Sequence, residues 1–172
     1  MFLGQAGNDV FRQDFDTPTR WVVTGANRGG LTVSGRNALF QQWENLVGAA
    51  TRADQFVFND AATIHGTLNA RGSEGDSADA DTLDYSDYKT RIAVDLSAGT
   101  ATGVGGGLVA DQIGSSIENV FGGSGDDLII CDVDSTASAS FCSAGWTSPW
   151  TTTCPSGSCA RILRMSSSVI SW

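Results

Sequence analysis

Apolar residues along this chain fall in short runs separated by Gly, Asn, Asp and Ser. The runs include Trp21-Val22-Val23-Thr24, Leu31-Thr32-Val33, Gln55 to Phe58, Thr63-Ile64, Arg91 to Leu96, Ile117 to Phe121 and Leu128 to Ile130. They have strand lengths and strand residues, with turn-forming residues at their ends. No segment carries a helical apolar stripe of ten residues or more. Ala38 to Val47 could form a short helix, but its counterpart further along the chain ends in a strand-like motif. The pattern predicts an all-β chain, and the loop-sized spacing of its strands favours a solenoid over a sandwich.

That spacing is repetitive. Residues 4–12 read G-Q-A-G-N-D-V-F-R and residues 122–130 read G-G-S-G-D-D-L-I-I. Both follow G-x-x-G-x-D-x-U-x, where U is a large apolar residue. Gln5 stands where the first copy would need a second Gly. Weaker copies start at Asp54-Gln55-Phe56, after Gly48-Ala49-Ala50, and at Asp81-Thr82-Leu83, after an acidic turn from Gly72 to Ala80. Asp9 and Asp81 lie 72 residues apart, and Asp54 and Asp127 lie 73 apart. Trp43-Glu44-Asn45-Leu46-Val47-Gly48 recurs 74 residues on as Ile117-Glu118-Asn119-Val120-Phe121-Gly122. Residues 1–132 thus read as two units of about 73 residues, and 133–172 as a separate irregular tail.

Composition narrows the chemistry. The 172 residues hold 19 Asp+Glu against 10 Lys+Arg, a net charge of −9. Sixteen of the acids are Asp, and Gly numbers 21. With no basic patch, the field repels phosphate, so no nucleic-acid partner is expected. No apolar run reaches the length of a membrane span. Asp and Gly together suit tight turns and hard-cation sites, because Gly frees the backbone and Asp offers oxygen. The charge is not uniform. Residues 54–134 carry 15 acids against Arg71, Lys89 and Arg91, whereas 135–172 have no acid, 16 Ser/Thr and three of the four Cys. For that tail a solenoid cap, a disordered extension and an out-of-frame stretch stay open. So do free thiols, disulfides and a zinc knuckle at Cys154-Pro-Ser-Gly-Ser-Cys159.

In the nonapeptide, six residues turn and three form a strand. The turn's Asp supplies carboxylate oxygen, its glycines expose carbonyls, and calcium takes six to eight such oxygens. The candidate metal ligands are Gly122, Gly123, Gly125 and Asp127, then Gly4, Gly7 and Asp9, with Asp54 and Asp81 from the weaker copies. Ile129 is expected to point inward and pack on its equivalent in the next coil. No catalytic residue is nominated. Asp126-Asp127 is accounted for by the turn, Gly105-Gly106-Gly107 opens no helix, and His65 reads as a surface residue at a strand edge. A glycan platform built from the tail tryptophans is a weak reading.

The chain resembles the repeats-in-toxin, or haemolysin-type, calcium-binding repeat regions of large bacterial secreted and surface proteins. The resemblance rests on Gly7-Asn8-Asp9-Val10-Phe11, Asp81 to Ser86, Val94 to Gly103 and Ile117 to Ile129, and covers roughly residues 1–132. It implies a right-handed parallel β-roll or β-helix, calcium in the Gly/Asp turns, export, and an extracellular location. The expected role is a non-enzymatic structural or adhesive solenoid, with neighbouring repeats of a larger parent, calcium, and cell-surface glycans or proteins as partners. Two alternatives stand beside it: the repeat region of an exported hydrolase or toxin whose catalytic domain lies elsewhere, and a calcium-independent adhesive β-helix.

Overall fold

The computed structural model describes residues 1–72, 80–109 and 117–131, and the backbone of 161–164. The acidic run 73–79, the tail cysteines and the tail tryptophans lie outside the described residues. Among the described residues the regular structure is strand throughout, wound as a parallel β-solenoid of about three turns.

One wall is a seven-stranded sheet. In spatial order it contains β1 (Phe2–Leu3), β5 (Arg36–Gln41), β4 (Arg28–Val33), β3 (Thr19–Gly25), β7 (Asp54–Phe58), β9 (Thr82–Asp84) and β12 (Asn119–Phe121). A second wall stacks β2 (Val10–Arg12), β6 (Asn45–Val47) and β8 (Leu68–Asn69) in parallel. The third is built on β10 (Ala93–Asp95) and β13 (Leu128–Cys131), also parallel. It is flanked by the antiparallel strands β11 (Thr100–Ala101) and β14 (Arg161–Arg164).

Parallel pairing in register puts like residues above one another. Trp21, Phe56, Leu83 and Val120 form one inward column across β3, β7, β9 and β12. Phe11, Leu46 and Leu68 form a second, and Val94 and Ile129 a third. Except for the half-buried Phe11, these side chains are buried in one continuous core. Ile129 faces inward against Val94, as its place in the nonapeptide requires. With alternate residues pointing out, a register slip of one residue would expose every column.

The stack is not uniformly parallel. β3, β4 and β5 form an antiparallel meander within it. The stretch that could have been a short helix, 38–47, is β5 and β6 instead. Two tight turns explain the reversal. Ser34 and Gly35 take φ 49 and 74, and Asn27 takes φ 52 in the loop between Gly25 and Arg28. At Ser34-Gly35, positive φ at both central residues is the hairpin geometry whose twist matches the strands it joins.

Aromatic rings concentrate in two places. Trp21 stacks on Phe56 at 5.9 Å and meets Phe11 and Phe40 edge-on. Further along, Phe58 stacks on Tyr85, which meets Tyr88 at 89°. The Tyr85 hydroxyl donates to Thr102 O and the Tyr88 hydroxyl to Ala62 O. Burial pushes both phenols above the ordinary tyrosine value, helped at Tyr85 by Tyr88 and at Tyr88 by Asp60. These are the chain's only tyrosines. An unfolded chain ionises near pH ~10, so unfolding releases protons above that point and stability falls as pH climbs toward the folded values. Absorbance at 295 nm should therefore show no tyrosinate at pH ~10 in the folded protein and a cooperative step where it unfolds. A normal titration at pH ~10 without unfolding would contradict the packing.

Candidate functional site

Three Gly/Asp turns close in the same way. In each, the Asp before or at a strand start turns its carboxylate back on the amide that follows the leading Gly. Asp9 Oδ2 accepts from the Gln5 N–H, and Asp54 Oδ2 from the Ala49 N–H. In the third turn the Gly123 N–H lies close enough to Asp127 to lower its pKa. The leading Gly makes room for this carboxylate. A Cβ at Gly48 would sit 2.0 Å from Asp54 Oδ2, and one at Gly122 would sit 2.5 Å from Asp127 Oδ2. The Gly and Asp positions of the repeat are thus coupled sterically, before any ligand is considered.

A second set of contacts links coil to coil. The Asp9 N–H donates to Glu44 Oε2 at 3.0 Å, and the Asp81 N–H to Glu118 Oε2 at 2.6 Å. The Asp54 N–H donates to Asp81 Oδ1 at 2.7 Å, and the Ile92 N–H to Asp127 Oδ1 at 3.0 Å. In all four, a carboxylate from the later coil takes the strand-start amide of the coil before it. Charge-assisted bonds of this kind are short and about twice as strong as neutral ones. The sequence repeat has its counterpart here: Asp9 with Glu44 and Asp81 with Glu118 are the same pair, although β2 and β6 lie on a different wall from β9 and β12. The motif Glu-Asn ahead of a strand was visible as a repeat, but its role in capping the neighbouring coil was not.

Burial separates the four nominated aspartates. Asp54, Asp81 and Asp127 are at most 1% exposed, whereas Asp9 is half-buried. Asp54 and Asp81 are engaged by backbone amides. Asp127 is engaged in the same way: its Oδ1 takes the Ile92 amide, and its carboxylate also accepts from the Gly123 amide. Burial raises its pKa, the Ile92 and Gly123 amides pull it down, Asp126 pushes it up and Arg91 lowers it. A buried carboxylate in a glycine-lined turn, with two amides set against burial and the Asp126 charge, fits a cation that would compensate the charged form. Gly123 and Gly125 press against the previous coil, where a Cβ would lie 2.3 Å from Tyr88 O and 2.5 Å from Arg91 N. Gly7 sits at φ 144 with open space around it. Among the described residues no three of His, Cys, Asp and Glu converge as a metal cluster. A cation at 122–127 would therefore draw most of its oxygens from backbone carbonyls.

Fold and turns together define a repeat region of the repeats-in-toxin type. Residues 72–168 match the family described as Peptidase M10 serralysin C terminal, and the chain belongs to it. The matched span runs through the acid-poor tail. The metallopeptidase AprA of Pseudomonas marginalis is 34% identical over 111 residues, which is 62% of this chain and 20% of that protein. The chain thus spans about a fifth of the length of the curated relative it matches. No solved structure matches. The family is the non-catalytic C-terminal part of serralysins, and no helix among the described residues is long and apolar enough to cross a membrane.

Proposed function

We propose that the chain is a non-enzymatic repeat segment of an exported protein, folded outside the cell with calcium as a structural clamp. The observation that carries this reading is the buried Asp127 carboxylate, whose charge is opposed by burial and by Asp126, in the turn that matches the calcium nonapeptide at every fixed position. Asp127 and the carbonyls of Gly122 to Gly125 would hold the ion. Calcium supplies positive charge where a buried carboxylate needs it, and so ties the β12–β13 turn to the strands it joins. The turn at Gly4, Gly7 and Asp9 has the same closure around a more exposed carboxylate. Asp54 and Asp81 act for the backbone, as acceptors for amides. In a surface-bound parent the solenoid would present its outer walls to cell-surface glycans or proteins.

The test is thermal unfolding followed by β-sheet circular dichroism, in chelator and in millimolar calcium. Ligand that binds only the folded state stabilises it by about 2.7 kcal/mol at a hundredfold excess over Kd, so a rise of several degrees is expected. Identical melting curves would overturn the calcium reading and leave the calcium-independent β-helix. The 34% identity to a metallopeptidase favours a second reading of the parent, as an exported protease whose catalytic domain lies outside this chain. Casein hydrolysis by the full-length parent, and none by this chain, is the result that reading requires.

A further inference from the structure

We propose that the first coil, residues 2–12, is a docking face for one more β-coil, supplied by an upstream stretch of the same polypeptide in a longer parent. β1 ends the seven-stranded sheet and β2 ends the three-stranded sheet, so both walls stop at the same coil. Each runs parallel to the strand it covers, with Phe2 opposite Phe40 and Val10 opposite Asn45. Both outer edges therefore present unpaired backbone groups in the spacing a further parallel coil would match.

The side chains at this end are those of an uncovered core. Phe2 is the register partner of buried Phe40 and its ring lies 5.4 Å from Phe11, yet Phe2 is 50% exposed and Phe11, alone in its inward column, is only half-buried. Inward-facing rings left open at the end of the stack mark a contact surface.

Asp9 adds an independent polar signal. Glu44, Asp81, Glu118 and Asp127 each accept the strand-start amide of the coil before them. Asp9 stands at the corresponding place in the first coil. Its Oδ2 takes the Gln5 amide, and its Oδ1 has no partner among the described residues. By the same rule Asp9 Oδ1 accepts an amide from a coil placed before β1 and β2. Charge does not oppose this contact, because residues 1–43 carry four Arg against three Asp. The metallopeptidase relative is about three times as long as this chain, so such a stretch is available in a parent of that size. A second copy joined through a two-fold axis would pair these edges antiparallel, out of step with the parallel register of the stack.

The experiment extends the full chain upstream with a copy of its own residues 36–53, which carry one strand, turn, strand and turn. A control extension carries Asp in place of the copied Phe40 and Leu46. Hydrogen exchange read by mass spectrometry over residues 2–12 should slow by about tenfold or more with the first extension and stay unchanged with the second. Asp9→Ala in the extended chain should reverse part of that protection, and Asp9→Asn should restore it. Equal exchange with the two extensions would overturn the proposal. So would concentration-dependent protection of residues 2–12 in the unextended chain, which would assign the face to a second copy. With every readout taken in chelator, calcium plays no part, so failure here is distinguishable from failure of the clamp.

Discussion

Trp21→Ala should cost about 3–5 kcal/mol, the usual range for deleting a buried Trp side chain. Trp21 is fully buried at the crossing of the meander and the parallel stack, where it stacks on Phe56 and meets Phe11 and Phe40. No nearby side chain can collapse into a space of that size without breaking the column Trp21, Phe56, Leu83, Val120. Trp21→Phe is expected to behave differently. The indole Nε1 is buried without a hydrogen-bond partner, so the exchange loses ring area but also removes an uncompensated donor. Urea unfolding should place Trp21→Phe far closer to the parent protein than to Trp21→Ala. Similar losses for both variants would contradict this account of the indole.

Asp81→Ala should cost about 1–3 kcal/mol or more, because it leaves the Asp54 amide buried without its acceptor. Asp81 is 0% exposed and its own amide is held by Glu118, so the backbone there has little freedom to find a substitute. Asp81→Asn keeps an oxygen at the acceptor position and should recover most of that loss at neutral pH. The comparison separates the acceptor role from charge, which a metal ligand would require. If Asp81→Asn is as damaging as Asp81→Ala, negative charge at this position matters more than the hydrogen bond.

Much of the architecture was legible because the solenoid repeats one local rule. Runs such as Gln55 to Phe58, Asn119-Val120-Phe121 and Leu128 to Ile130 became strands because their alternating apolar residues face one core. The Gly and Asp spacing likewise located the turns. The meander was harder to foresee. Its signals, Asn27 and the pair Ser34-Gly35, are the same residue types that bound every other strand, and positive φ also occurs outside the meander at Gln42, Ala61 and Arg71. The roles of the acids were also hidden. Asp9, Asp54, Asp81 and Asp127 look alike in sequence because each precedes or opens a strand. What separates them is which amide the neighbouring coil offers, and that depends on register between residues as distant as Ile92 and Asp127. Glu44 and Glu118 were visible only as part of a repeat, although each caps the coil before it.

Asp127 is where sequence and structure point to the same ion, and it also provides the control. Its raised pKa means the folded chain disfavours the ionised carboxylate, so without a cation stability falls as pH rises from about 3.9 through the folded value. Asp127→Asn keeps the size and the acceptor for Ile92 and removes that penalty but gives up the acceptor for Gly123, so in chelator at pH 7 the variant should melt close to the parent protein. Calcium titration calorimetry on the two proteins side by side tests the central claim most directly. The expected result is saturable binding to the parent protein and its loss in Asp127→Asn. Equal binding by both, or heat from neither, would contradict a calcium clamp at the Gly122 to Asp127 turn.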